Sequence, residues 1–483
     1  MVGKVVLIGC GIGDPELLTI KAKRKIQEAD VIIYDRLVNP AILNLAKAGS
    51  KKIDVGKKPN HHPVPQEEIE ALLVLYAQQG KLAVRLKSGD PYVFGRGGEE
   101  GRRLEQAGIS MEVVPGVTSA IAGLAYAGIP ITHRDHAASF HVYTGHLKSP
   151  ETALDWRVIA QNEGTLVFLM GMSELLTITD SLIIHGKRPD TPAAIVQWAG
   201  RSMQKTVTGT LANIAQKAQK AELVPPSLIV IGEVTSEREV LNFYEKRPLF
   251  GVTIAMPYTE KKQLYAELTD LGAEVIEDAA PQVFLNSLHL DWSHLKRVVF
   301  FEKESVDVFI ESMRKDQIDW RFLSGVMIEA VGHHTRLTCE KHGILPNKNY
   351  ESRELFIKTV ADEQEKAVYL GSLATKETLP ATCAESFLVS HTEDYSFDVE
   401  AWFASDFLFF PHSKSARAFL ASLKKEQLET LSEKQIIVMG EMTASVFQAQ
   451  GISVFKAKRP TAEAVQELLM ERKSQNEEGN NHR

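Results

Sequence analysis

Val5-Val6-Leu7-Ile8 is an apolar run of strand length that breaks at Gly9-Cys10-Gly11-Ile12-Gly13. A helix-length segment, Glu16 to Ala29, then leads into a second apolar run, Val31-Ile32-Ile33-Tyr34, closed by Asp35. Strand-length and helix-length segments alternate in this way through both halves of the chain, which commits it to an α/β architecture. At 483 residues there is material for two or more domains with complete cores. Composition shifts near residue 245, so we expect domains at 1–242 and 249–472, a linker at 243–248 and a disordered polar tail at 473–483.

The run at residues 81–99, KLAVRLKSGDPYVFGRGGE, carries the strongest functional signal. Leu82, Val84 and Leu86 form one face of a strand and Arg85 and Lys87 the other. The strand breaks at Ser88-Gly89-Asp90-Pro91 and continues through Phe94-Gly95-Arg96-Gly97-Gly98. So many glycines beside so much charge suit a loop that lays its backbone against a small polar ligand. The first loop, Gly9 to Gly13 with Asp35 downstream, invites a dinucleotide reading. Asp14 stands at its third glycine position, where a carboxylate repels a pyrophosphate but caps a helix, with Pro15 suited to the first helical position.

A net charge of −7 argues against a general nucleic-acid binder, so an anionic substrate needs a local basic pocket. The three cysteines, Cys10, Cys339 and Cys383, lack metal-ligand spacing and read as reduced structural thiols of a cytoplasmic protein. We expect no signal peptide and no membrane partner, because no apolar run approaches the roughly 20 residues that span a bilayer. His61-His62, and likewise His133, His136, His141 and His146, do not form a metal set by spacing, and no metal is expected.

The second half hides a repeat. Phe300 to Ser305 and Phe409 to Lys414 each open a helix, and Gly332 to Thr335 and Gly440 to Thr443 follow about thirty residues later, each with a Gly-Ile pair eleven residues on. A glycine then a threonine at a helix start suits an anion-facing turn, and equally a strand–turn–helix used twice for packing.

Taken together the first-half motifs resemble the uroporphyrinogen-III C-methyltransferases, S-adenosylmethionine enzymes of the tetrapyrrole methylase fold. They are GCGIGDPELLT at Gly9–Thr19, Tyr34-Asp35-Arg36-Leu37, Gly56-Lys57, Pro65 to Ile69, the Arg85–Glu100 loop and Val114 to Ala120. Ala125 to Pro130, Thr132-His133-Arg134-Asp135, Thr144-Gly145-His146, Met170-Gly171 and Gly232-Glu233-Val234 complete the series, in family order. The resemblance implies a two-lobed domain whose cleft takes the cofactor, S-adenosylmethionine (S-adenosylhomocysteine as product), against Ile12, Ser88, Gly89, Asp90, Val93, Thr118, Ser119, Met170 and Ala199. Ile12 stands for a proline there, and Ser88 and Ala199 for glycines. It also implies Asp35 as the catalytic base and Lys57 as a proton donor, although the residues alone equally allow a turn-capping Asp and a solvated Lys. Arg36, Arg85, Lys87, Arg96, His133 and Arg134 become candidates to grip the carboxylates of a tetrapyrrole.

Residues 249–472 resemble uroporphyrinogen-III synthase, a family with two α/β subdomains. Thr335, Ser413 and Thr443 are the substrate-binding candidates that this resemblance implies. Ser390-His391-Thr392 stands where the family has Tyr-x-Thr, and its opening Thr-Arg is replaced near Met256-Pro257-Tyr258. The implied function is bifunctional: closing hydroxymethylbilane to uroporphyrinogen III, and methylating that twice to precorrin-2 on the way to sirohaem or cobalamin. The alternative keeps the methyltransferase and makes the second half a binding or docking module. The family suggests a homodimer through the methylase half, with separate precorrin-2 dehydrogenase and chelatase partners.

Overall fold

The computed structural model describes residues 2–47, 49–56, 64–145, 154–260, 262–360, 367–459 and 461–481. Lys57, His61, His62 and His146 lie outside the described residues. Two compact units form: residues 1–279, 398–413 and 423–483 make the first, and residues 280–397 and 414–422 the second.

The first unit opens with five strands, β1 (Lys4–Gly9), β2 (Val31–Tyr34), β3 (Lys51–Asp54), β4 (Leu82–Lys87) and β5 (Met111–Val114). They form one parallel sheet in the order β3-β2-β4-β1-β5. Val6, Ile8, Ile32, Val84 and Leu86 fill the core on one face, and Val5, Leu7, Val31, Ile33 and Ala83 fill it on the other. A sheet buried on both faces explains strands that are apolar almost throughout. The helix expected from Glu16 is shorter than its pattern: Asp14 caps a single 3-10 turn, Pro15–Leu17, and Thr19 caps a separate helix, Ile20–Glu28. The side-chain oxygens of both capping residues accept a backbone N–H, which is why the chain stops and restarts there.

A second sheet follows, built from β6 (Phe140–Thr144), β7 (Thr165–Leu169), β8 (Pro192–Gln197), β9 (Lys205–Thr210) and β10 (Ser227–Ile231). Its order is β6-β7-β10-β8-β9, with β10 antiparallel to both neighbours. One face packs against the helix Ser119–Tyr126 through Ala120 and Leu124, together with Val93 and Ala199. The 243–248 segment is packed rather than free: Tyr244 lies against Tyr126, and Glu245 accepts from Gln204 and Thr206 and pairs with Arg238.

The third sheet of this unit contains β11 (Thr253–Met256) and β12 (Glu274–Glu277), joined later by β19 (Phe407–Phe410), β20 (Gln435–Val438) and β21 (Phe455–Lys456), all parallel. The last helix runs Ala462–Asn481, into the segment expected as a disordered tail. Its Glu, Gln, Lys and Arg residues are good helix formers, and Lys473 ties it down by donating to the carbonyls of Pro248 and Phe250.

In the second unit, β13 (Gln282–Leu285), β14 (Arg297–Phe300), β15 (Met327–Val331), β16 (Lys348–Tyr350), β17 (Val368–Ser372) and β18 (Phe387–Asp394) form a sheet in the order β13-β18-β17-β14-β15-β16. The sequence repeat corresponds to the same local unit used twice. β14 leads to the helix Lys303–Lys315 and β15 to the helix His333–Lys341, just as β19 leads to Ser413–Ser422 and β20 to Glu441–Gln448.

Asp278, directly after β12, is buried and accepts from the indole Nε1 of Trp402 at 2.9 Å and the backbone N–H of Asp398 at 3.4 Å. Burial pushes its carboxyl up from 3.8 to about 7, against the lowering effect of those two donors. Between those values the folded form keeps a proton that the unfolded form has lost, so stability falls as pH rises from about 4 to about 7. Asp278→Asn keeps an acceptor and removes the titration. Its thermal midpoint should equal that of the unaltered protein at pH 4 and exceed it by several degrees at pH 8, read by calorimetry across that range.

Candidate active site

Three adjacent strands, β4, β1 and β5, end in turns rich in glycine. Gly11 and Gly89 meet in an isolated antiparallel bridge, with Gly89 N–H donating to Gly11 O at 2.7 Å. Gly9 and Gly116 touch so closely that a Cβ on Gly9 would lie 2.5 Å from Gly116 N and 2.6 Å from Gly89 O. Asp90 ties the β4 and β5 turns together, accepting from Tyr92 N–H at 2.8 Å and Gly116 N–H at 3.1 Å. Gly11 and Gly89 have positive φ, and a Cβ built on either would meet nothing nearer than 3.7 Å. Buried glycine backbone therefore packs at van der Waals distance at the C-terminal edge of a parallel sheet, where α/β proteins bind ligands.

The cofactor candidates gather around this edge. Ser88 and Gly89 lie in the β4 turn, and Gly89 packs beside Thr118 and Ser119, the cap and first residue of the helix Ser119–Tyr126. Val93 and Ala199 border the same apolar cluster. Met170 follows β7 and is exposed, with φ 55°. Ile12 is buried against Gly200, so its side chain packs the turn. Phe94, Arg96, Met170 and Trp198 are four of the non-glycine residues with positive φ, and all stand in or beside these turns. Left-handed backbone on bulky residues is a strained state that clusters at ligand sites.

Asp35 follows β2 and is one-third exposed. Its Oδ1 accepts from the Nη2 of Arg85. Arg85 is buried and also donates through Nε to Glu100 Oε1 at 3.3 Å; Lys87, buried beside it, donates to the same oxygen at 2.9 Å. Glu100 is fully buried, and its Oε2 has no hydrogen-bond partner. Burial, and the Arg85 guanidinium next to it, push the Lys87 ammonium below its ordinary range. Arg85 and Lys87, expected to grip a substrate carboxylate, are buried in this structure and both reach the carboxylate of Glu100. The strand face that carries them is covered by the helices Gln66–Gln78 and Gly97–Gln106, and Glu100 of the latter takes both cations. Glu100 escaped the sequence reading, although its place in the first turn after Gly97-Gly98 was a signal.

The remaining cations lie nearer solvent. Arg36 is exposed and packs on Gly56, Arg96 is exposed and pairs with Glu99, and Arg134 is exposed in a turn that His133 closes by bonding to Ala137. In the repeat, Thr335 and Thr443 are buried, and Thr335 Oγ1 donates to Phe301 O at 3.4 Å. Their side chains are buried, while His333, His334 and Glu441 are exposed at the same helix starts and Ser413 is half-buried. Among the described residues no group of three His, Cys, Asp or Glu is placed to hold a metal, and no helix is long and apolar enough to cross a membrane. The three cysteines are buried and free, and burial pushes the Cys10 and Cys339 thiols up to about 12.

Two family models match the chain: tetrapyrrole (corrin/porphyrin) methylases over residues 4–215, and uroporphyrinogen-III synthase HemD over residues 263–467. A uroporphyrinogen-III C-methyltransferase of Bacillus subtilis is 38% identical over 399 residues, 80% of each chain. A porphyrin biosynthesis protein HemD of Ruminiclostridium josui is 31% identical over 496 residues, 97% of this chain and 98% of that one. A siroheme synthase of Acinetobacter baylyi is 52% identical over 241 residues, and the chain spans about half its length (53%). Among solved structures, a uroporphyrin-III C-methyl transferase of Thermus thermophilus, complexed with S-adenyl homocysteine, is 43% identical with a TM-score of 0.42, covering 48% of this chain and 99% of that one. Ordered glycine turns around Asp35, followed by a doubled strand–turn–helix unit, thus coincide with two matched families and a relative similar from end to end: the chain belongs to the uroporphyrinogen-III C-methyltransferases, S-adenosylmethionine enzymes of the tetrapyrrole methylase fold, and carries a HemD-type uroporphyrinogen-III synthase half behind the methylase.

Proposed function

We propose that residues 1–242 methylate uroporphyrinogen III at C2 and C7 to give precorrin-2, and that residues 249–472 close hydroxymethylbilane to uroporphyrinogen III. The observation that carries the first activity is the partly exposed Asp35 carboxylate, held by buried Arg85 at the sheet edge where the glycine turns meet. S-adenosylmethionine, when bound, supplies an electrophilic methyl group. Gly11, Gly89, Thr118, Ser119, Met170 and Ala199 would hold it: Gly89 packs beside Thr118 and Ser119, Ala199 borders the same apolar cluster as Val93, and Met170 is exposed. Methyl transfer is an in-line displacement, so the main task of these turns is alignment. A methylated pyrrole carbon leaves a cationic ring that must lose a proton. Asp35 is the base for that step: it is partly exposed and needs no rotation out of the Arg85 contact to present its second oxygen. Lys57, the proton donor by family resemblance, lies outside the described residues.

Exposed Arg36, Arg96 and Arg134, with His133, are the groups we assign to the substrate carboxylates. For the second activity, the helix starts after Gly332 and Gly440 present backbone N–H groups, with Ser413 at a third. Closing a linear bilane asks chiefly for a shaped, carboxylate-binding surface, and such turns suit it. On this reading the methylase half pairs into a homodimer, and oxidation and metal insertion fall to separate enzymes.

Purified full-length protein given uroporphyrinogen III and S-adenosylmethionine should yield a product heavier by two methyl groups; no methylated product refutes the first activity. Hydroxymethylbilane should give the type III isomer, and formation of the uncatalysed type I isomer alone refutes the second. Asp35→Asn should lower kcat for methylation by about 10²- to 10³-fold while S-adenosylhomocysteine affinity stays within about twofold, measured by single-turnover kinetics and calorimetry.

A further inference from the structure

Two turns of the proposed cofactor site interlock. A Cβ on Gly200 would run into Ile12, and a Cβ on Gly13 would lie 2.6 Å from the Cδ of Arg201. The Trp198–Gln204 turn is tight: Trp198 has φ 47°, Gly200 has φ 79°, and Gly200 N–H donates to Gln204 Oε1 at 2.8 Å. On the other side, Asn39 Nδ2 donates to Gly13 O at 2.6 Å. The guanidinium stem of Arg201 is therefore the lid over Gly13, and what fixes Arg201 fixes the turn that contains Ile12.

The group that fixes it comes from the other half of the sequence. Glu274, the first residue of β12, accepts at Oε1 from Arg201 Nε at 2.8 Å and from Nη2. Its Oε2 accepts from Ser202 N–H at 3.1 Å and Ser202 Oγ at 2.7 Å. Four donors from two consecutive residues converge on one carboxylate, and both charged side chains are less than one-fifth exposed. Burial raises the Glu274 carboxyl, but Arg201 and the two Ser202 donors outweigh it and hold it below its ordinary value. A charge-assisted cluster this enclosed is strong and directional, and losing one member leaves a half-buried charge without its partner.

We propose that Glu274 is a positioning residue for the methyl donor: through Arg201 and Ser202 it locks the Ile12-Gly13 and Ala199-Gly200 turns, so the synthase-type half completes the cofactor site of the methylase. This rests on the reading that those turns hold the cofactor. No atom of Glu274 needs to touch the ligand.

The test uses the full-length chain with Glu274→Gln, Ser202→Ala, and Glu277→Gln as a control on the same strand, where Glu277 accepts from Thr259 and pairs with Lys262. S-adenosylhomocysteine binding is measured by calorimetry and methylation by steady-state kinetics. Glu274→Gln should raise Kd and the KM for S-adenosylmethionine about tenfold, with kcat and the KM for uroporphyrinogen III within about twofold. Ser202→Ala should raise them about threefold, and Glu277→Gln should match the unaltered protein. A merely structural role would lower the active fraction and kcat without this split. If Glu274→Gln does not fold, Ser202→Ala decides. Unchanged S-adenosylhomocysteine affinity in the folded variants overturns the inference and leaves the cofactor reading standing. Absence of binding to the unaltered protein overturns both.

Discussion

Glu100 is a fully buried carboxylate, and Arg85 and Lys87 supply the positive charge that makes it tolerable there, with Gln66 Nε2 as a further donor. Removing any of the three would strand a charge in the core, where Coulomb interactions are weakly screened. The cluster therefore fixes the end of β4, the helix Gly97–Gln106 and the side chain of Arg85 as one body. Asp35 inherits that rigidity, because the outermost nitrogen of Arg85 is its partner. A carboxylate held by a fixed cation on one oxygen and one-third exposed needs little reorganisation for the proton removal we propose for it.

The sheet edge beside Asp35 depends on close backbone approach. Gly9 and Gly116 approach each other and the Gly89 carbonyl at distances that leave neither room for a side chain, and the flanking αL residues, Phe94, Arg96, Met170 and Trp198, hold conformations that cost energy alone. That cost is sustained by packing on both sides of the turns. The apolar cluster around Leu124 and Val196 supports Val93 and Ala199, and the Arg201–Glu274 pair supports the Gly13 turn from outside the methylase sequence. The turn that contains Gly13 and the second half of the sequence are thus mechanically continuous along this contact.

Much of this was legible in the residues. Asp14-Pro15 reads as a cap and first turn, and it is one, although Thr19 restarts the helix because Leu18 is extended. The doubled Gly-x-x-Thr element reads as a repeat, and each copy opens a helix after a strand. Other features meet partners that a linear string does not name. Arg85 and Lys87 alternate with Leu82, Val84 and Leu86, a pattern that suggests a polar face; the helices covering that face turn it into an ion cluster. Thr335 and Thr443 suggest ligand hydroxyls, yet both are buried. The tail after residue 472 is polar and still helical to Asn481, continuing the helix that starts at Ala462 and that Lys473 docks on the carbonyls of Pro248 and Phe250.

The sequence by itself determined the local elements and the chemistry present: which segments are strands, where the backbone needs glycine, and that a carboxylate ends β2. These follow from short-range sterics and periodicity, which a linear string encodes. Only tertiary structure decided which charge meets which. Arg85 finds Glu100 across 15 residues and Asp35 across 50, and Arg201 finds Glu274 across 73. The worth of such pairs depends on burial and distance, quantities that exist only once the chain has folded.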